Sequence, residues 1–422
     1  MTSVLISGAS VAGPALAYWL HQYGFEVTVV EKSGSIRGGG YPIDIRGTAV
    51  DVVERMGVLP QVRAAHIATR RISVTDGAGR TIAAFSPDDI TGGQPGADLE
   101  LPRGDLTSIL YAQTRDKVDY VFGDSIAALG PHDGGVDVTF EHGRPRTFDY
   151  VAGADGLHSN TRRLAFGPES DYHHYLGSCF AGFTAPNTGA WSHEAILQNT
   201  PGTMAAVYAV GEHPWVHALL AFATPKPPRR HHGPRRARHQ GLRRPDRRGP
   251  RPTRHTGSAR TTSTSTQSAK SECPAGSPSR VALVGDAAYA PSFLSGQGTS
   301  LALTGAYVLA CELRNGTPAT YAATMRAYVT RNQALATGGI GILPRTRRQL
   351  WMRNQAFRLL PLLARTDLLG RGQRRAAKIT DPAAPLTATG AVNSPDPPPT
   401  PACPTKSQAA PTTAAARPPT AR

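Results

Sequence analysis

The sequence predicts an α/β fold in which a parallel nucleotide-binding sheet is interleaved with a β-sheet layer and followed by a helical C-terminal region. Three observations predict it. A strand, a Gly-rich turn, a helix and a second strand open the chain. Alternating apolar runs separated by Gly-containing turns occupy its middle. Three stretches with apolar residues at three- and four-residue spacing lie beyond residue 299. In order, Val4–Ser7 reads as a buried strand, Ala12–Tyr23 as a small-residue helix and Glu26–Glu31 as a second strand. That βαβ unit of about 30 residues has the length of a Rossmann-like half. Thr48–Met56 has helical periodicity, whereas Arg71–Phe85 and Tyr120–Phe148 alternate and predict antiparallel sheet. Arg280–Gly285 is a further buried strand. Helices are expected over Ser300–Arg314, Pro318–Leu335 and Thr346–Leu363.

The chain has 422 residues, enough for two domains, and 40% of them are apolar, enough for a buried core. Its net charge of +16 points to nucleic acid only until the charge is located. Pro225–Arg260 carries twelve Arg, one Lys and one Asp, which leaves +4 for the rest of the chain. The basicity is local, and without interleaved aromatics no nucleic-acid partner is expected. Cys179, Cys273, Cys311 and Cys403 lie far apart with no CxxC, so neither a disulfide framework nor a zinc site is expected. That usage fits a cytoplasmic protein. The N-terminus lacks the basic region of a signal peptide, and no apolar run of about 18 residues predicts a membrane span.

Three motifs carry chemistry. Gly8-Ala9-Ser10-Val11-Ala12-Gly13 lies between a strand and a helix. Gly8 permits the tight turn, Gly13 lets helix and strand pack closely, and the free N–H groups of the helix can hold a pyrophosphate. Ser10 replaces the middle glycine of GxGxxG. Glu31, 23 residues after Gly8, ends the second strand where a carboxylate accepts ribose hydroxyls. The second motif is Gly153–Arg162, GADGLHSNTR, which by itself reads as a loop. The third is Arg280–Gly298, in which a strand delivers Asp286 at its C-terminal end. Pro291, Gly296 and Gly298 then let bare backbone approach a flat ligand.

Together these motifs resemble the FAD-dependent aromatic hydroxylases, the flavoprotein monooxygenases of the p-hydroxybenzoate hydroxylase type. The texture of GGGYPIDIRG and LPRGDL is similar to hydroxylases of aromatic polyketides and to tetracycline-inactivating monooxygenases. The resemblance covers residues 3–225 and 278–365. It implies an FAD-binding domain over 1–70, 101–170 and 277–315, a substrate layer over 71–100 and 171–225, and C-terminal helices over 316–380. It further implies that Gly8, Ser10, Ala12, Gly13, Glu31, Lys32, Arg46, Arg103, Asp155, Asp286, Pro291, Gly296 and Gly298 meet the cofactor. Glu31 would hold the adenosine ribose, Asp286 the ribityl chain and Arg103 the ribityl-phosphate region. Arg46 would approach the flavin, and Asp155 would support FAD and the transient docking of NAD(P)H. The implied reaction is hydroxylation of an aromatic, phenolic or polyketide-like small molecule by a flavin C4a-hydroperoxide formed from NAD(P)H and O2. No catalytic triad or metal is expected, and a monomer or homodimer is. His158 reads as a loop residue. Tyr41, Phe85, Phe180, Phe183 and Trp191 could line the substrate sheet, although aromatic residues in strands are more often core.

Two segments stand apart. Residues 381–422 are rich in Pro, Ala and Thr and predict a disordered tail. Residues 226–276 join an Arg/Pro/His run to small polar residues, with the period of neither strand nor helix, and predict disorder. From Arg260 onward the codons can be re-read one frame over to give DDFYFDSVGQVRMPRW, which alternates like a strand. The expectation is that about 229–276 is an out-of-frame reading restored near Ser277. If so, part of the substrate layer is replaced and the chain is an impaired flavoprotein; the DNA sequence tests this.

Overall fold

The structure, a computed structural model, describes residues 1–38, 40–87, 89, 98–226, 264–271, 280–338 and 343–363. The expected tail at 381–422 and most of 226–276 lie outside the described residues. The first half of the chain contains β1 (Ser3–Ser7), α1 (Ala12–Gln22), β2 (Glu26–Glu31), β3 (Pro42–Ile45), α2 (Thr48–Arg55), α3 (Leu59–Ala64), β4 (Arg71–Thr75), β5 (Thr81–Phe85), β6 (Leu99–Pro102) and α4 (Arg103–Thr114). Next come β7 (Asp119–Phe122), β8 (Ile126–His132), β9 (Gly135–Phe140), β10 (Arg146–Phe148), β11 (Tyr150–Gly153) and α5 (Asn160–Phe166). The strands β12 (His173–Pro186), β13 (Glu194–Thr200), β14 (Thr203–Ala209), β15 (Trp215–Ala223), β16 (Thr264–Ser271) and β17 (Val281–Leu283) follow. Helices α6 (Asp286–Tyr289), α7 (Gly298–Arg314), α8 (Tyr321–Gly338) and α9 (Arg347–Leu363) complete the described chain.

A five-stranded parallel sheet runs in the order β17-β11-β1-β2-β7. Its central strand is apolar on both faces, with Val4, Leu5 and Ile6 fully buried, as a strand covered on both sides must be. β7 belongs to this sheet, whereas the alternation at 120–148 predicts antiparallel pairing throughout. It follows α4, and a helical crossover returns the chain parallel to β2. Only β8, β9 and β10 form the expected antiparallel meander. On one face α1 packs against α7, where Trp19 is 1% exposed and meets the Tyr307 ring at 4.9 Å. Gly305 of α7 faces α6 instead, where a Cβ would stand 1.7 Å from Tyr289 Oη.

A seven-stranded sheet, β16-β12-β15-β14-β13-β4-β5, forms a second layer. All its pairs are antiparallel except β13 with β4. The strand β16 differs from the expectation of a segment without regular structure. It pairs with β12 from His173↔Ser271 to Gly182↔Thr264, across a register shift between Tyr175 and Cys179. The physical reason is that the outer edge of β12 presents unpaired backbone groups, and any extended backbone can satisfy them whatever its side chains. A two-stranded ribbon, β3 with β6, lies between the layers in sequence.

Candidate functional site

The sequence motifs all follow the C-terminal ends of parallel strands, the edge at which an open α/β sheet binds ligands. There they line one cleft of about 360 Å³. Ser7, Gly8 and Ser10 follow β1, Glu31 and Lys32 end β2, Ala154–Gly156 follow β11, and Asp286 follows β17, with Arg103 at the start of α4. Arg37, Asp124, His158 and Asn160 also line it, and the sequence reading did not select them for cofactor binding.

The turn after β1 is built for a ligand that approaches backbone. Gly8 has φ +108°, and a Cβ on it would stand 2.6 Å from the Ala154 carbonyl oxygen. A Cβ on Gly13 would stand 1.9 Å from the Gly8 oxygen, so neither position accepts a side chain. Ala12 and Gly13 are buried in the first turn of α1. Ser10, the departure from GxGxxG, has a partner: its Oγ accepts a hydrogen bond from Arg103 Nη1 at 3.2 Å. Glu31 is 5% exposed, and its two oxygens accept the Ala9 N–H at 2.9 Å and the Ser33 N–H at 3.0 Å. Each oxygen retains a lone pair, so a fixed carboxylate can still accept a hydroxyl from the cleft.

Arg103 organises the opposite wall. A Cβ on Gly40 would lie 3.3 Å from its Nε, and its charge acts on both Asp286 and Tyr41. Surrounding protein pushes the Asp286 carboxyl above its ordinary value, and Arg103 opposes that shift. The Tyr41 phenol is raised by burial for the same reason. Gly298, at the first turn of α7, would place a Cβ 3.8 Å from Asp286 Oδ1. Pro291 is buried, and Gly296 adopts the left-handed region at φ +66°. The paired charges and glycine-only cradle of this cleft fit an anionic dinucleotide that runs from β2 across the β1 turn to the β17 end.

Asp155 is engaged by its own loop. Oδ2 accepts the Thr161 N–H and Oγ1–H, each at 2.9 Å, and Oδ1 accepts from Ser159 Oγ. Ser159 in turn caps α5 by accepting the Arg162 N–H at 2.9 Å. Arg162 is 0% exposed; it donates to the Ala287 carbonyl at 2.9 Å and the Leu157 carbonyl at 2.8 Å. It therefore ties the loop after β11 to α6, which follows β17. Its burial could not be foreseen, because an Arg in a turn motif is ordinarily solvated.

Arg46 lines a second cavity of about 220 Å³, together with Asp44, His66, Asp98 and Glu100. Its Nη2 meets Asp44 at 3.1 Å and its Nε meets Asp98 at 3.6 Å, so acidic side chains flank the guanidinium that the resemblance places against the flavin. Burial, with Asp44 adding to it, raises the Glu100 carboxyl from 4.5 to about 7. This cavity abuts the loop after β17, because a Cβ on Gly296 would lie 3.3 Å from Asp44 Oδ2. Of the aromatic candidates, Phe180 and Phe85 are 2% and 6% exposed and belong to the core. Phe183 and Trp191 pack against the Val207–Val216 cluster. Tyr41 stands edge-on to Phe180, which meets Phe293 at 4.2 Å, and this trio joins the seven-stranded sheet to the loop after β17.

Residues 1–336 match the family described as FAD binding domain. An uncharacterised protein of Mycobacterium tuberculosis (strain CDC 1551 / Oshkosh) is 40% identical over 350 residues, 81% of this chain and 94% of its own. A flavin-dependent monooxygenase from an unknown prokaryotic organism is 36% identical over 347 residues, 78% of this chain and 87% of its own. Among solved structures, the tetracycline destructase Tet(55) superposes with a TM-score of 0.67 at 31% identity, covering 86% of this chain and 96% of that one. Among the described residues no helix is long and apolar enough to cross a membrane. The chain belongs to the FAD-binding family of flavin-dependent monooxygenases, with FAD as its cofactor.

Proposed function

We propose that the protein hydroxylates an aromatic, polyketide-like or phenolic small molecule with NAD(P)H and O2. One observation carries this reading: three sequence-distant motifs meet in one cleft, and Phe180 of the large, mostly antiparallel sheet meets Phe293 in the loop after β17. The likeness to a tetracycline destructase supports a fused-ring substrate.

When bound, FAD supplies the redox chemistry, accepting reducing equivalents from NAD(P)H and activating O2. The chain's residues position it. The α1 N-terminus and the Gly8 turn hold the pyrophosphate, Glu31 accepts a ribose hydroxyl, and Arg103 with Asp286 fixes the ribityl end. Asp155 and Arg162 keep the loop after β11 in register with α6. Tyr41, Phe180 and Phe293 exclude water from the face toward the seven-stranded sheet. The purified protein is expected to be yellow, and a phenolic or tetracycline-like compound is expected to stimulate its NAD(P)H oxidation and O2 uptake. A folded but colourless protein overturns the enzyme reading.

A second reading is an impaired flavoprotein. It is favoured by β16, whose Thr264–Ser271 backbone occupies a sheet edge with small polar residues and one lysine. In that case FAD binds and NAD(P)H oxidation proceeds without hydroxylated product.

A further inference from the structure

The fold brings together three side chains that no cofactor motif uses in common. His158 lies in the loop after β11, Glu169 in the 3-10 turn beyond α5, and His173 at the start of β12. His158 Nδ1 and Glu169 Oε1 are 2.9 Å apart, and the two imidazoles stack at 5.8 Å and 24°. One ligand atom from each residue lies within 4.8 Å of the others. All three side chains are half-buried. His173 Nε2 is buried without a hydrogen-bond partner among the described residues, which a native interior rarely tolerates.

We propose that His158, Glu169 and His173 form a binding site for one divalent transition-metal ion of the zinc class, which staples the flavin-cleft loop to the start of β12 in the seven-stranded sheet. Two imidazoles and a carboxylate are the donor set that Zn²⁺ takes with a fourth position left for water. The ion takes the place of the hydrogen bond between His158 Nδ1 and Glu169 Oε1 and gives the buried His173 Nε2 a partner. With bonds of about 2.0–2.1 Å, tetrahedral ligand atoms stand about 3.3 Å apart. Spacings that all lie within 4.8 Å therefore close by at most about 1.5 Å, a movement that side-chain rotation can supply.

Competing charge is small. Arg162 Nη2 is 4.0 Å from Glu169 Oε2, but that guanidinium is held by the Ala287 and Leu157 carbonyls. Because His158 also lines the flavin cleft, the ion would stiffen one wall of that cleft from outside.

The test uses the tag-free, full-length, flavin-loaded protein, stripped with a chelator and titrated with ZnCl2 against a chromophoric competitor. One tight Zn²⁺ per chain is expected, with affinity about tenfold or more weaker in His173→Gln and Glu169→Gln. His174→Gln, at the exposed neighbour outside the cluster, is expected to bind like the parent. Replacement by Co²⁺ is expected to give tetrahedral d–d bands to the red of the flavin absorbance, without thiolate charge-transfer bands. No binding in competition with the chelator, retention in both cluster variants, or loss in His174→Gln alone overturns the proposal. If a cluster variant does not fold, the Co²⁺ spectrum of the parent decides, and absence of tetrahedral nitrogen–oxygen bands is the overturning result.

Discussion

Gly8 shows how far a single residue type was legible. Its place after an apolar strand identifies a turn, and the fold adds that its φ is +108° with the Ala154 oxygen where a Cβ would sit. Gly8→Ala is expected to cost about 1–2 kcal/mol in backbone strain alone. It should also displace the loop after β11, so flavin absorbance per chain in the purified variant should fall well below the parent's. Glu31 and Asp286 could be selected from their strand-end positions. Ser10 looked like a departure, and only the 3.2 Å contact with Arg103 gives it a purpose. Glu100 gave no signal, because a single carboxylate in a short strand looks solvated. Its raised carboxyl makes a signed prediction. Between 4.5 and about 7 the folded protein holds a proton that the unfolded chain has released, so this group's contribution to stability falls as pH rises through that window. Glu100→Gln removes that dependence. The Tm of the variant relative to the parent should therefore climb from pH 4.5 to about 7 and then level off; a flat difference would show that Glu100 titrates normally.

Elements were legible where one periodicity dominates. The α1, β2 and α7–α9 segments follow their apolar spacing to within a few residues. The helix α3 was missed, since Leu59–Ala64 is too short to show a period and has Pro at its second position. β7 was assigned to the wrong kind of sheet, because alternation within a strand does not reveal its partner. The α5 region adds an element-scale prediction. Arg162 is 0% exposed and joins the loop after β11 to α6 through the Leu157 and Ala287 carbonyls. Arg162→Met leaves both acceptors unpaired and should destabilise the protein by about 3 kcal/mol or more. A lowered denaturation midpoint with weaker FAD retention is the expected pair of readouts. If the midpoint does not change, Arg162 is not the link between that loop and α6.

Across the whole molecule, charge and sheet completeness are set by the same unusual stretch. The basic run supplies +12 of the net +16, and the following residues place small polar side chains on β16. Replacing residues 261–276 by the alternate string DDFYFDSVGQVRMPRW tests the out-of-frame expectation at protein level. The restored chain is expected to melt higher and to couple NAD(P)H oxidation to product better than the parent, measured by thermal denaturation and product yield. Equal values in both would show that backbone pairing alone completes the sheet edge. By itself the sequence determined the α/β class, the order of the three cofactor motifs and the residues that end each strand, because strand period, turn chemistry and helix spacing are local. Only the tertiary structure decided which charges are spent on one another. It set Arg103 between Ser10 and Asp286, paired Arg46 with Asp44 and Asp98, and buried Arg162. It also brought His158, Glu169 and His173 to one point. Those outcomes depend on how distant strands pack, and desolvation acts on a charge only once the fold has chosen its neighbours.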